Sequence, residues 1–178
     1  RERVQTFADM LHFDNFDDEV LRKEDPAKFI PKAYEGRPYN VFETGGTTGM
    51  PKQRIGWEDY KNDYTECSEH YGPDFFPQGA NWLMVGPTGP RRLRMAIEHL
   101  ANIRGGACYF IDLDPRWVKR LIGMGEMQMA KAYQEHVIDQ AVTIIRHRDI
   151  KCIFTTPRLL ESLSLRMSLA DAGIRGVF

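Results

Sequence analysis

The residues best equipped for chemistry lie in one short run, Thr44-Gly45-Gly46-Thr47-Thr48-Gly49-Met50-Pro51-Lys52. Its three glycines permit positive φ and let the backbone approach a ligand with no Cβ in the way. Successive amides in such a loop can converge on an anion. Thr44, Thr47 and Thr48 add hydroxyl donors, and Lys52 adds a mobile positive charge. A cradle of this kind suits a polyphosphate. A second set, Gly86, Pro87, Thr88 and Gly89 with Thr155 and Thr156, follows two apolar strands at the end where α/β sheets hold their substrates. Arg91, Arg92 and Arg94 could also meet a phosphate, although such a run is more commonly a solvated helix face.

The spacing excludes one familiar device. In a Gly-x-x-x-x-Gly-Lys-Ser/Thr loop the lysine follows the last glycine directly. Here Lys52 lies three residues beyond Gly49, Pro51 intervenes, and Gln53 stands where a magnesium-binding hydroxyl would be. Pro51 to Ile55 reads as extended, not as the start of a helix. A glycine-rich hairpin turn without a ligand is the plain alternative.

Neither a protein-ligated metal nor a disulfide framework is expected. His12, His70, His99, His136 and His147 form no His-x-x-x-His or His-Glu-x-x-His pair. Cys67, Cys108 and Cys152 are odd in number, far apart and without a Cys-x-x-Cys pair. Cys108 and Cys152 sit in apolar runs and read as small buried hydrophobes.

Around these residues the elements alternate. Tyr39 to Phe42 reads as a short strand entering the glycine loop. A helix then carries Trp57, Tyr60, Tyr64, Cys67 and Tyr71 on one face, a stripe that suits core packing, and Gly72-Pro73 stops it. Trp82 to Val85 is a buried strand. The following helix presents Leu93, Ile97, Leu100 and Ala101 and ends at Gly105-Gly106. Ala107 to Ile111 is a strand, and Pro115 opens the next helix. A long helix covers roughly Met127 to Arg146, with Arg146, His147 and Arg148 complementing the dipole at its end. Strand Cys152–Thr155, a helix bearing Leu160, Leu163 and Met167, and a strand from Ile174 to Phe178 complete the chain. Such alternation predicts an α/β domain, with a largely parallel sheet covered by helices on both faces. Residues 1–38 read as an irregular, helical leader over a core built from residues 39–178. The final strand lacks a covering helix, which suggests part of a larger domain.

Composition narrows the partners. In 178 residues, 24 Lys+Arg balance 25 Asp+Glu, and the net charge of -1 favours neither nucleic acid nor an anionic membrane. No apolar run approaches the ~18 residues of a membrane span, and the start Arg1-Glu2-Arg3-Val4 does not read as a signal peptide. A cytoplasmic location is the expectation.

At the glycine loop the chain resembles the adenylate-forming, AMP-binding enzymes: acyl- and aryl-CoA ligases, luciferases and peptide-synthetase adenylation domains. Their phosphate loop runs Ser/Thr-Ser-Gly-Ser/Thr-Thr-Gly-x-Pro-Lys. Thr44, Gly46, Thr47, Thr48, Gly49, Pro51 and Lys52 match it, while Gly45 replaces the usual serine. Weaker likenesses follow at Gly105-Gly106-Ala107, at Asp114-Pro115, at Phe154 to Leu160 and at Gly173 to Val177. The resemblance covers about residues 39 to 178 and implies part of the large N-terminal domain of such an enzyme. It implies that ATP, carrying Mg2+, is bound through Thr44, Gly45, Gly46, Thr47, Thr48, Gly49 and Lys52. A carboxylic acid would be activated as its acyl-adenylate with release of pyrophosphate. A thiol, of coenzyme A or of a carrier protein's phosphopantetheine, would then take the acyl group.

Departures limit that inference. The family's Pro-Leu-x-His segment is replaced by Gly86-Pro87-Thr88-Gly89-Pro90, so its pocket histidine has no counterpart. The Tyr-Gly-x-Thr-Glu segment, the ribose-binding aspartate, the C-terminal domain and its catalytic lysine have no counterpart in these residues. The rest of the same enzyme chain is therefore an implied partner, and these residues alone are not expected to adenylate. A kinase or nucleotidyltransferase using the loop, and a non-catalytic ligand-binding domain, remain as alternatives.

Overall fold

The computed structural model describes residues 5–12, 17, 19–44, 50–89 and 92–178. Four strands form a parallel sheet in the order β4-β3-β5-β6: β3 (Asn81–Gly86), β4 (Cys108–Asp112), β5 (Ile150–Thr155) and β6 (Gly176–Val177). Side chains alternate along β3, and the alternation builds two cores. Trp82 and Met84 face one way, packing with Cys152 of β5 against Ile97, Leu100 and Ala101 of α3 (Arg92–Ile103). Leu83 and Val85 face the other way, with Ile111 of β4 and Ile153 of β5. That face is covered by α4 (Pro115–Gly123), α5 (Met127–His147) and α6 (Pro157–Ser164). Along α5 the buried residues Ala130, Val137, Ile138, Ala141, Val142 and Ile145 recur at helical spacing. The sheet is thus parallel and covered on both faces, as expected.

Local chemistry explains the element ends. Asp114 caps α4 by accepting from the Arg116 amide at 2.8 Å, and Pro115 occupies the first turn, where its missing N–H costs nothing. After α3, Gly105 has φ 72° and the Gly106 amide returns to the Ala101 carbonyl at 3.0 Å. Gly106 then passes so close to Ala80 that a Cβ would lie 1.8 Å from its carbonyl oxygen. Arg146 and His147 occupy the last turn of α5, as read from the sequence.

The described residues before β3 lie outside the parallel sheet. The leader consists of short pieces: 3-10 turns at Phe7–His12, Pro26–Phe29 and Lys32–Tyr34, and one turn of helix, α1 (Val20–Lys23), with no buried residue in any of them. The first strand does not join the parallel sheet. Among the described residues β1 (Asn40–Glu43) pairs only with β2 (Gln53–Gly56), in a separate antiparallel hairpin. α2 runs from Tyr60 to Glu69, so Trp57 and Tyr71 fall outside it. Its buried side follows Tyr60 and Ser68, with Tyr64 partly buried between them. Cys67 is exposed, because a step of three from Tyr64 turns it off that line whereas a step of four keeps Ser68 on it. Leu93 is likewise exposed, its place on the face of α3 being taken by Ala96. Met167 lies beyond α6 but still packs on the core, and Cys108 is half-buried where Cys152 is fully enclosed. No helix among the described residues is long and apolar enough to cross a membrane.

Candidate functional site

The glycine-rich run connects the two strands of the hairpin. The register pairs Asn40 with Gly56 and Glu43 with Gln53, and the Thr44 amide donates to the Lys52 carbonyl at 3.0 Å. Thr44 and Lys52 therefore face each other at the hairpin mouth, both half-buried. Gly45, Gly46, Thr47, Thr48 and Gly49 lie outside the described residues. Lys52 leads straight into β2, as the extended reading of Pro51 to Ile55 anticipates.

The mouth is tied to the parallel sheet through Glu43. One of its carboxylate oxygens accepts from Gln53 Nε2 at 3.2 Å, and the other accepts from Arg116 Nη1 at 3.0 Å. That bond to Glu43 holds the Arg116 guanidinium above its ordinary pKa. Arg116 Nε also lies 3.6 Å from Asp114. Asp114 is fixed in turn, since its amide donates to the Tyr133 hydroxyl of α5 at 3.1 Å.

Next to this corner are the C-terminal ends of β3 and β4. The Thr88 amide and hydroxyl both donate to Asp112 Oδ1, at 2.7 and 2.9 Å, and the Leu113 amide donates to the Gly86 carbonyl at 3.1 Å. Gly86 has φ 155°, a conformation open to glycine and rarely to other residues. Thr155 ends β5 and donates its hydroxyl to the Val85 carbonyl at 2.9 Å, while Thr156 begins α6 without a side-chain cap bond. The chain leaves β3 toward β4 and leaves β5 toward β6, in opposite directions across the sheet. Gly86, Pro87, Thr88, Gly89, Thr155 and Thr156 thus flank the crevice at which open α/β sheets receive ligands. A separate cleft of about 780 Å³ lies along β4 and α5, with Phe110, Asp112, His136 and Thr143 in its lining, and none of those six residues takes part in it.

Several sequence candidates have structural employment instead. Arg92 pairs with Asp63 at 3.2 Å and lies over the Tyr60 ring, and Arg94 lies over the Phe110 ring. Arg91 lies outside the described residues. Among the described residues no group of three or more His, Cys, Asp and Glu could hold a metal. The sequence reading missed Glu43, Gln53, Asp112 and Arg116. Glu43 adjoins the glycine run and Arg116 adjoins Asp114-Pro115, but nothing along the chain pairs two residues 73 positions apart.

No protein-family model matches the chain, and no curated protein matches it.

Proposed function

We propose that the chain is part of an enzyme that activates a carboxylic acid with ATP, its Thr44–Lys52 loop holding the triphosphate. The observation that carries this reading is the run Thr44-Gly45-Gly46-Thr47-Thr48-Gly49-x-Pro-Lys52 in its local setting. Its two ends meet at the mouth of a hairpin, beside the C-terminal edge of a parallel sheet. The strand after Lys52 argues against a loop of the kind that runs directly into a helix. In this reaction a carboxylate oxygen attacks the α-phosphorus, an acyl-adenylate forms, and the bond to the leaving pyrophosphate breaks. Negative charge grows on the departing phosphates. Amides of the glycine run, the hydroxyls of Thr44, Thr47 and Thr48, and the Lys52 ammonium are donors suited to receive it. Magnesium enters bound to the nucleotide, and it would neutralise phosphate charge there. The crevice flanked by Gly86, Pro87, Thr88, Gly89, Thr155 and Thr156 is the proposed substrate vicinity. The acyl acceptor is a thiol.

Exchange of labelled pyrophosphate into ATP, dependent on an added carboxylic acid, tests the reading in the full-length enzyme. Losing one preorganised donor typically raises a barrier by about 3 kcal/mol, roughly a hundredfold in rate. Thr48→Ala combined with Lys52→Ala should lower exchange by at least about that factor. Unchanged exchange would remove the loop from the mechanism, and phosphate transfer without any carboxylic acid would favour a kinase or nucleotidyltransferase.

A further inference from the structure

We propose that Glu43 and Arg116 are positioning residues. Their ion pair, braced by Gln53, anchors the hairpin on the β4–α4 corner and thereby raises the affinity of its loop for a polyphosphate. The affinity clause rests on the function proposed above, whereas the anchoring clause does not.

Among the described residues the hairpin shares no strand pairing with the parallel sheet, so backbone ladders do not fix where it stands. Glu43 supplies a tether. Both of its carboxylate oxygens are engaged, one from its own hairpin by Gln53 and one from α4 by Arg116. Arg116 is itself held in place. Its amide is bonded to the helix cap Asp114, whose own amide is bonded to Tyr133 of α5. A continuous polar path therefore runs from the long helix over the sheet to the last residue before the glycine run. Glu43 is 22% exposed and Arg116 40% exposed, so the pair is partly shielded from water and salt. Fixing the hairpin beforehand spares a ligand the ordering it would otherwise impose on binding.

Charge alone makes the opposite prediction for one variant. Glu43 adds negative charge next to a loop proposed to bind an anion, so electrostatics without anchoring would have Glu43→Gln bind polyphosphate more tightly. Anchoring has it bind more weakly. Calorimetric titration of the full-length protein with ATP and with tripolyphosphate separates the two. Glu43→Gln and Arg116→Gln should each weaken binding by about threefold to fivefold, the range of a partly exposed ion pair. Arg116→Lys should recover part of that loss, and the exchanged pair Glu43→Arg with Arg116→Glu more of it. Amide hydrogen exchange supplies the ligand-free arm: both Gln variants should exchange faster over residues 40–56 and unchanged over β3 and β5. Tighter binding by Glu43→Gln, or unaltered exchange in both variants, overturns the anchor. If the unaltered protein binds neither ATP nor tripolyphosphate, the affinity clause and the phosphate-loop reading both fail, and the exchange rates still decide the anchor.

Discussion

Trp82, Leu83 and Met84 of β3 are wholly enclosed, whereas not one residue of β1 or β2 is buried. The parallel sheet is held by apolar area on both faces, each enclosed Leu or Met side chain contributing roughly 1.5–3 kcal/mol. The hairpin is held by its own ladder, the Thr44–Lys52 closure and the Glu43 bonds. Apolar burial and polar tethering are therefore divided between them. One region supplies a frame that few substitutions can disturb without cost. The other has strands without a buried residue and is tied to its surroundings through polar bonds at Glu43.

The contrast can be broken most directly at Trp82. Its indole is fully buried against Phe76 and Phe178, with Nε1 unpartnered among the described residues. Trp82→Ala should cost about 3–5 kcal/mol in urea unfolding, and a cost under about 1 kcal/mol would mean that the aromatic core is not the frame.

A pH series sharpens the same contrast. Burial pushes the Cys152 thiol up to about 11 and, with some help from Glu98, the Cys108 thiol up to about 12. Free thiols ionise near about 8.5. Above that pH the unfolded chain gives up these protons while the folded chain keeps them. The contribution of the two neutral thiols is thus complete below about pH 8.5 and lost as pH rises through about 11 to 12. Between pH 8.5 and 11 the melting temperature should fall more steeply for the unaltered protein than for Cys108→Ala with Cys152→Ala. Parallel curves would place both thiols within reach of water.

The smallest effect belongs to the hairpin. Val41 of β1 is 37% exposed, and Val41→Ala should change unfolding free energy by no more than about 0.5 kcal/mol. A loss of about 2 kcal/mol or more in urea unfolding would enrol the hairpin in the core and erase the distinction.

How legible each region is follows from the same division. Trp82 to Val85, the long helix from about Met127 and the helix start at Pro115 announce themselves because apolar runs and turn residues act on neighbours in sequence. The glycine run stands out as a candidate for a similar reason, its glycines and threonines being consecutive. The setting of that run does not. An extended segment after Lys52 can be read from Pro51 to Ile55, and a hairpin turn at the glycines is the plain alternative, but that the hairpin stands outside the main sheet cannot be read. Neither can the contact between Glu43 and Arg116, which depends on where two distant corners meet. The stripe through Cys67 misleads because two helical periods, three and four, fit aromatic residues equally well. Packing against α3 selects the one through Ser68, whose hydroxyl is satisfied by the Thr65 carbonyl at 2.8 Å.

Gly106 leaves a mark of another kind. With the Ala80 carbonyl oxygen 1.8 Å from where its side chain would begin, this position tolerates hydrogen and nothing larger while the backbone keeps its course. Natural variation can therefore alter the exposed strands of the hairpin far more freely than it can alter this bend. In any divergent descendant of the chain that retains this architecture, a glycine at the entry to β4 should outlast the sequence of the β1–β2 hairpin.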